Sequence, residues 1–220
     1  MMNKKKTQIL ILFVIVFYSL WACFELVGKS ILYTVISSDS IAQFIENGII
    51  KNLIWTLPAI ILVKIFDKSM YIQLKEMFHI KTKYLKYLPI FIIFTICILG
   101  PVLLKKGHIN LSDNFNLGKI IIVLFVGLTE EMVFRGWLLN ATIREDKKWK
   151  YIIINAFMFL AIHFPIWIYN GVLIKTFTGF GFLCVLILSI IFSWSFVKSR
   201  NILIPIFLHM YWDLLIFMFV

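Results

Sequence analysis

Residues that could carry acid–base chemistry recur within apolar stretches of this sequence at the spacing of one helical turn. They form three patterns, which in chain order are Glu130-Glu131-x-x-x-Arg135, Phe159-x-x-x-His163 and His209-x-x-x-Asp213. Residues four apart share one face of an α-helix, so Glu131 can pair with Arg135, and His209 with Asp213. Glu130 points about 100° away from Glu131 and has no such partner in its own helix.

Each of these groups also has a structural interpretation. His163 could be a hydrogen-bonded packing histidine. In each of the two i,i+4 pairs, Glu131–Arg135 and His209–Asp213, the two residues could simply be structural partners of each other. Glu130 is harder to explain in this way, because an unpaired carboxylate in hydrocarbon costs about 3 kcal/mol or more. We therefore expect Glu130 to be paired across helices, protonated or reached by water.

The composition of the chain places these patterns in a lipid bilayer. Hydrophobic residues make up 61% of the 220 residues, charged residues only 15%, and the mean hydropathy is +0.94. A typical soluble domain carries roughly 25% charged residues. The net charge is +11, but the basic residues lie between the apolar runs and are not gathered on one surface with stacking aromatics. This distribution argues against a nucleic-acid partner. We predict an all-α polytopic membrane protein.

Seven apolar runs approach the roughly 20 residues that a membrane helix needs. The predicted spans are 8–28, 50–66, 87–104, 118–140, 151–170, 178–197 and 202–220. The segment 68–86 mixes lysine with apolar residues and is predicted to lie at the membrane surface. No repeat or linker divides the chain, so residues 1–220 are predicted to form a single integral membrane domain.

The basic residues predict the orientation of this bundle of about seven transmembrane helices. With the N-terminus in the cytoplasm, 15 of the 22 Lys and Arg residues fall on the cytoplasmic side. Six fall outside, Lys29 and Lys51 among them, and Arg135 lies within a span. The positive-inside rule therefore favours a cytoplasmic N-terminus. Binding of anionic lipid headgroups is a secondary effect of the same charge.

Only three of the 11 acidic residues are predicted at depth, and they are Glu130, Glu131 and Asp213. Seven others fall in predicted loops or interfacial segments, Glu46 among them, and Glu25 lies at a predicted span end. Counted at 1.5 Å per residue from the cytoplasmic ends, the key carboxylates and imidazoles of three helices lie within about a 10 Å slab. A bundle would bring them to one buried cavity.

In order and spacing, the three patterns resemble the CPBP family of intramembrane proteases, which includes CAAX proteases and bacteriocin-processing enzymes and is also called the Abi family. The resemblance covers about residues 118–220, which we expect to be the catalytic core. It implies that the first Glu and the middle His activate a water, while the last His and the residue four positions later line the same site. The implied catalytic residues are Glu130, His163, His209 and Asp213, supported by Glu131, Arg135 and Phe159.

Asp213 departs from the usual pattern, because prenyl-protein proteases of this family usually have Asn at this position. An ionised Asp cannot donate a hydrogen bond to an oxyanion as Asn can. Asp213 is therefore protonated, orients His209, or helps bind a metal. In the last case Glu130, His163, His209 and Asp213 would form a set that suits zinc (Zn2+) by ligand type.

The residues and the resemblance together predict an intramembrane endopeptidase that cleaves a peptide or lipidated peptide. Glu130 is the expected general base, and His163 shares the water and passes a proton to the leaving amine. His209 is expected to stabilise the oxyanion. By resemblance, we expect a multi-pass protein of a bacterial plasma membrane, with no cofactor other than the zinc left open above.

Two other functions are compatible with the same residues. A non-catalytic immunity or scaffold protein would act on a membrane-protein partner, and members of the resembled family are linked to bacteriocin self-immunity. A proton-coupled transporter would use the same residues as a relay, although the sequence shows no inverted repeat and no paired broken helices.

Overall fold

The computed structural model describes residues 4–79 and 81–220, and over these residues it is 84% helical and has no strands. The described helices, in chain order, are α1 (Lys4–Val35), α2 (Asp39–Ile65), α3 (Leu74–His79), α4 (Tyr84–Lys106), α5 (117–142), α6 (Glu145–Tyr169), α7 (Leu173–Thr178), α8 (Gly181–Ser199) and α9 (Leu203–Phe219). Five of them, α1, α2, α4, α6 and α8, are long and apolar enough to cross a membrane. The predicted all-α polytopic membrane fold is confirmed.

Each predicted span corresponds to one long helix, but the first two predicted spans are too short. Helix α1 runs for 32 residues, and α2 begins at Asp39 instead of at residue 50. Helices α5 and α9 are not among the five that meet the length and apolarity required for a span. The predicted surface segment 68–86 contains the short helix α3 and the first turn of α4.

Charge pairing explains why α1 and α2 extend beyond the predicted spans. Lys29 Nζ lies 2.8 Å from Glu46 Oε1 and 3.4 Å from Glu25 Oε2. The hydroxyl of Tyr33 donates to Glu46 Oε2 at 2.9 Å. The placement of Glu46 in a loop was therefore wrong, because it is buried within α2, and Glu25 is buried within α1 well before that helix ends. Lys29 and Lys51 likewise lie within helices and not in outer loops.

Aromatic packing joins the N-terminal helices to α5. Trp55 of α2 lies edge-on to Phe17 of α1, with ring centroids 4.9 Å apart, and 6.1 Å from Phe134 of α5. Phe134 in turn contacts Phe159 of α6 at 4.9 Å. The stretch Met132–Leu139 of α5 is buried at every position and has π-helical geometry, a wider turn that often marks functional sites. Helix α5 is therefore the central element of the bundle.

Candidate active site

A close contact between α5 and α9 sets the spacing of the first and third sequence patterns. A Cβ atom added to Gly127 of α5 would lie 2.6 Å from Met210 Cγ and 3.4 Å from the carbonyl oxygen of Ile206 on α9. Any side chain here would force Met210 to move, whereas glycine fits the gap as it is. The two backbones therefore approach closely just one turn before Glu130 and Glu131, which face His209.

Arg135 holds Glu131 within a fully buried network. Its Nη1 donates to Glu131 Oε1 at 2.9 Å, which is the i,i+4 ion pair predicted from the spacing. Its Nε donates to Ser193 Oγ at 3.2 Å, and its Nη2 donates to the carbonyl oxygen and hydroxyl of Ser189 at 2.9 and 2.6 Å. Ser193 also donates to Asn155 Oδ1 at 3.1 Å. The guanidinium thus ties α5 to α8, and through Ser193 to α6.

His209 sits between the carboxylates of both helices. Its Nδ1 lies 2.8 Å from Glu131 Oε1, and because a carboxylate accepts, Nδ1 carries the hydrogen. Its Nε2 lies 3.9 Å from Glu130 Oε2 and 3.6 Å from Asp213 Oδ2. The imidazole stacks on Phe192, with ring centroids 4.9 Å apart. The predicted pairing of His209 with Asp213 is therefore one part of a larger cluster.

Glu130 is paired across helices, and its partner is Lys51 of α2. Lys51 Nζ lies 2.8 Å from Glu130 Oε1, and both side chains are nearly inaccessible. The ammonium also lies over the rings of Trp21 and Trp55, 5.5 and 4.9 Å from their centroids. Of the three states expected for Glu130, the structure shows the paired one.

His163 lies at a break in α6, between the stretches Lys148–Ala161 and Phe164–Tyr169. Pro165 removes a backbone donor here and lies in the first turn of the second stretch. His163 Nδ1 lies 2.8 Å from the carbonyl oxygen of Phe159, so Nδ1 donates and Nε2 is left to accept a proton. The Phe159 ring contacts the imidazoles of both His163 and His209, at 5.0 and 5.9 Å between centroids. The second pattern therefore joins the same centre.

The charges of this centre can cancel. Ionised, its carboxylates bring three negative charges, while its lysine and arginine bring two positive charges; these groups are Glu130, Glu131, Asp213, Lys51 and Arg135. A protonated His209 would supply the third positive charge. Buried charges are tolerated when they are paired and hydrogen-bonded. The geometry therefore allows a neutral set of ionised groups that contains a donor on His209 Nε2.

Four participants in this centre were not predicted from the sequence. Asn155, Ser189 and Ser193 are small polar residues on apolar helices, which is a weak signal for a network. Lys51 was placed in an outer loop because a charge beside an apolar run is typical of a helix end. The signal that could have found it is the need of Glu130 for a cationic partner.

The arrangement does not fit a zinc ion. Among the residues that the structure describes, no group of three His, Cys, Asp or Glu side chains could hold a metal. Two of the carboxylates already contact cations, Glu130 with Lys51 and Glu131 with Arg135. A divalent cation beside the Lys51 ammonium would meet like charge. Zinc use stays a prediction from ligand types.

Fold and site together define a polytopic membrane protein with an acid–base centre buried between its helices. Residues 113–215, a little under half of the chain, match the family model described as Type II CAAX prenyl endopeptidase Rce1-like. No curated protein and no solved structure matches the chain. The family resemblance seen in the three patterns is confirmed. The family supports a membrane-embedded protease with a peptide substrate.

Proposed function

We propose that this protein is an intramembrane endopeptidase in which Glu130 activates the attacking water. The observation that supports the proposal best is the convergence of the three patterns on one buried centre. Within it, Glu130 Oε1 is occupied by Lys51, whereas Oε2 faces His209 at 3.9 Å. Oε2 is therefore the oxygen that we assign as the base.

The reaction moves one proton from the water to the leaving amine in three transfers. A water gives one proton to Glu130 Oε2 while its oxygen bonds to the scissile carbonyl carbon. His209, protonated at Nε2, donates to the oxyanion that forms. The proton passes from Glu130 to Nε2 of His163 and then to the amine as the carbon–nitrogen bond breaks. Glu130 ends ionised, and the products are a carboxylic acid and an amine.

Substitution of Glu130 gives the most direct test. We expect Glu130→Gln to lower turnover of a membrane peptide by about 100-fold or more, the usual contribution of a general base. Glu46→Gln is a matched control, because Glu46 is also a buried glutamate paired with a lysine of the N-terminal half. It should cleave at the wild-type rate. Full activity of Glu130→Gln, or of His163→Ala, would contradict the assignment.

The substrate can be sought by mass spectrometry, comparing peptides in membranes that carry the wild-type protein or the Glu130→Gln variant. A chelator arm with zinc re-addition belongs in the same experiment. Activity that chelation abolishes and zinc restores would establish metal dependence. Activity that persists through chelation would support activation of the water by Glu130 and His163 without a metal.

We further propose a role in bacteriocin processing or self-immunity. We also propose that the protein lies in a bacterial plasma membrane with its N-terminus in the cytoplasm. If immunity depends on cleavage, protection against the peptide should disappear with Glu130→Gln. Protection that survives this change would favour the non-catalytic immunity or scaffold function. Uptake into proteoliposomes that follows a pH gradient would instead favour a transporter.

A further inference from the structure

Lys51 connects the N-terminal half to the proposed base. It lies outside the family match at residues 113–215, and 79 positions separate it from Glu130 in the chain. Its side chain is 9% exposed and that of Glu130 is 8% exposed. The contact is therefore a buried ion pair between α2 and α5.

The surroundings of Lys51 favour a fixed ammonium. Trp21 and Trp55 are both buried, and their ring faces attract a cation within about 6 Å. Held from α1 and α2 in this way, Nζ anchors Oε1 of Glu130 and leaves Oε2 toward His209. Lys51 also supplies one of the positive charges that offset the three carboxylates of the centre. Without it, the remaining cations would leave that set one charge short of neutral.

We propose that Lys51 is a positioning residue that orients the Glu130 carboxylate for proton abstraction. This inference rests on the proposed function. It assigns a specific task to the N-terminal helices, which the three sequence patterns do not include. The pair Lys29–Glu46 has the same chemistry in the same half of the chain and serves as its matched control.

The test compares Lys51→Met, Lys51→Arg and Lys29→Met by steady-state kinetics and thermal unfolding. A misplaced group can cost about 100-fold in rate, so we expect Lys51→Met to lower kcat by about that factor with little change in KM. Lys51→Arg keeps the charge and should recover about tenfold of this loss. Lys29→Met should keep the wild-type kcat.

The outcomes separate this inference from the proposed function. Wild-type kcat in Lys51→Met, with Glu130→Gln inactive, would overturn the positioning role and leave the general base in place. An active Glu130→Gln protein would overturn both. If Lys51→Met does not fold, Lys51→Arg decides: a reduced kcat at an unchanged unfolding temperature supports positioning, and a wild-type kcat contradicts it.

A second, independent observation concerns one end of α4 and α8. A cavity of about 310 Å³ lies there, and its lining residues are Lys81, Thr82, Lys83, Lys86, Tyr87, Trp194, Lys198 and Ser199. No acidic residue lines it. Within the part of the chain that the structure describes, none of its four lysines forms an ion pair. The cavity is therefore basic, and no ion pair among the described residues offsets the positive charge of its lysines.

The neighbours of this cavity are those of a membrane surface. Tyr87 and Trp194 pack edge to face across it at 6.3 Å, and aromatic residues of this kind favour the headgroup level. Leu85 beside it is 82% exposed, as expected for a residue facing lipid. Basic pockets between membrane helices attract anionic headgroups. We infer that this cavity binds the headgroup of an anionic phospholipid.

Helix α4 contains the control for this inference. Lys83 and Lys86 flank its first turn, whereas Lys105 and Lys106 form its last turn at the opposite end. Native mass spectrometry in detergent would compare K83Q/K86Q with K105Q/K106Q, using phosphatidylglycerol and phosphatidylcholine as probes. We expect K83Q/K86Q alone to weaken phosphatidylglycerol binding, by about tenfold or more.

Equal loss in both double variants would overturn a specific site, as would equal binding of the two lipids by the wild type. An arm with inorganic phosphate distinguishes the source of the phosphate. Phosphate that displaces phosphatidylglycerol at millimolar concentration would show a general anion site and would contradict recognition of a lipid. Retained phosphatidylglycerol would support it.

Discussion

Replacing Arg135 by methionine tests whether the buried network holds the centre together. The change keeps a long apolar side chain but removes the cation from Glu131 and the donors from Ser189 and Ser193. Breaking a buried ion pair by removing one partner costs about 3–5 kcal/mol. The lost hydrogen bonds belong to the same guanidinium, so their energies are not simply added to that figure.

The expected readout is the unfolding temperature of the purified protein in detergent. For a chain of this size, 1 kcal/mol shifts the midpoint by about 2–4 °C, which gives a fall of roughly 6–20 °C for Arg135→Met. Arg135→Lys keeps the charge but loses the planar fork of the guanidinium, so its unfolding temperature should lie between those of the wild type and Arg135→Met. Ser193→Ala removes the acceptor of Arg135 Nε and the donor to Asn155, and should cost about 1–3 kcal/mol.

The ordering of these three variants matters more than any single value. An Arg135→Met protein that unfolds at the wild-type temperature would refute the argument that the buried charge of Glu131 needs this partner. If Ser193→Ala lowered the unfolding temperature as much as Arg135→Met, the argument would also fail. The hydrogen bonds of the Ser193 hydroxyl, and not the ion pair, would then account for most of the stability of the network.

Three further changes should act on single features. Asp213→Asn should retain more activity than Asp213→Leu in the peptide assay, because an amide can still hydrogen-bond near His209; equal inactivity would require the carboxylate itself. Asn140→Ala removes both hydrogen bonds to the backbone at residue 72 and should cost about 1–3 kcal/mol in denaturant unfolding; an unchanged midpoint would contradict this. Gly127→Leu should force α5 away from Met210, which should destabilise the protein by about 1–3 kcal/mol and lower the rate of cleavage. Wild-type activity in this variant would show that the contact between α5 and α9 does not position the site.

The sequence predicted the parts of this fold that depend on local periodicity. Apolar runs identified the long helices, and spacing by four placed Glu131 with Arg135 and His209 with Asp213. Local patterns could not show that Arg135 would also reach Ser189 on α8, because that contact depends on how helices pack. For the same reason, the general composition of α9 did not indicate that His209 would contact Glu131 across the bundle.

The errors in α1 and α2 have one physical cause. A charge inside an apolar run is costly when it is alone, so Lys29 and Lys51 were placed in outer segments and Glu46 in a loop or interfacial segment. In the structure, each has a buried partner of opposite sign, and the cost of a lone charge no longer applies. Hydropathy evaluates one segment at a time and cannot include a partner that lies on another helix.

The contacts of Glu130 extend the centre beyond the C-terminal half of the chain. All three patterns lie within residues 113–215, which suggests that the catalytic core is complete there. Yet the carboxylate of Glu130 is neutralised by Lys51 of α2, and the Lys51 ammonium is held by Trp21 of α1 and Trp55 of α2. A lone Glu130 would carry the cost that first singled it out in the sequence. The N-terminal helices are therefore part of the centre, because they supply the positive charge that pairs with Glu130, the proposed base.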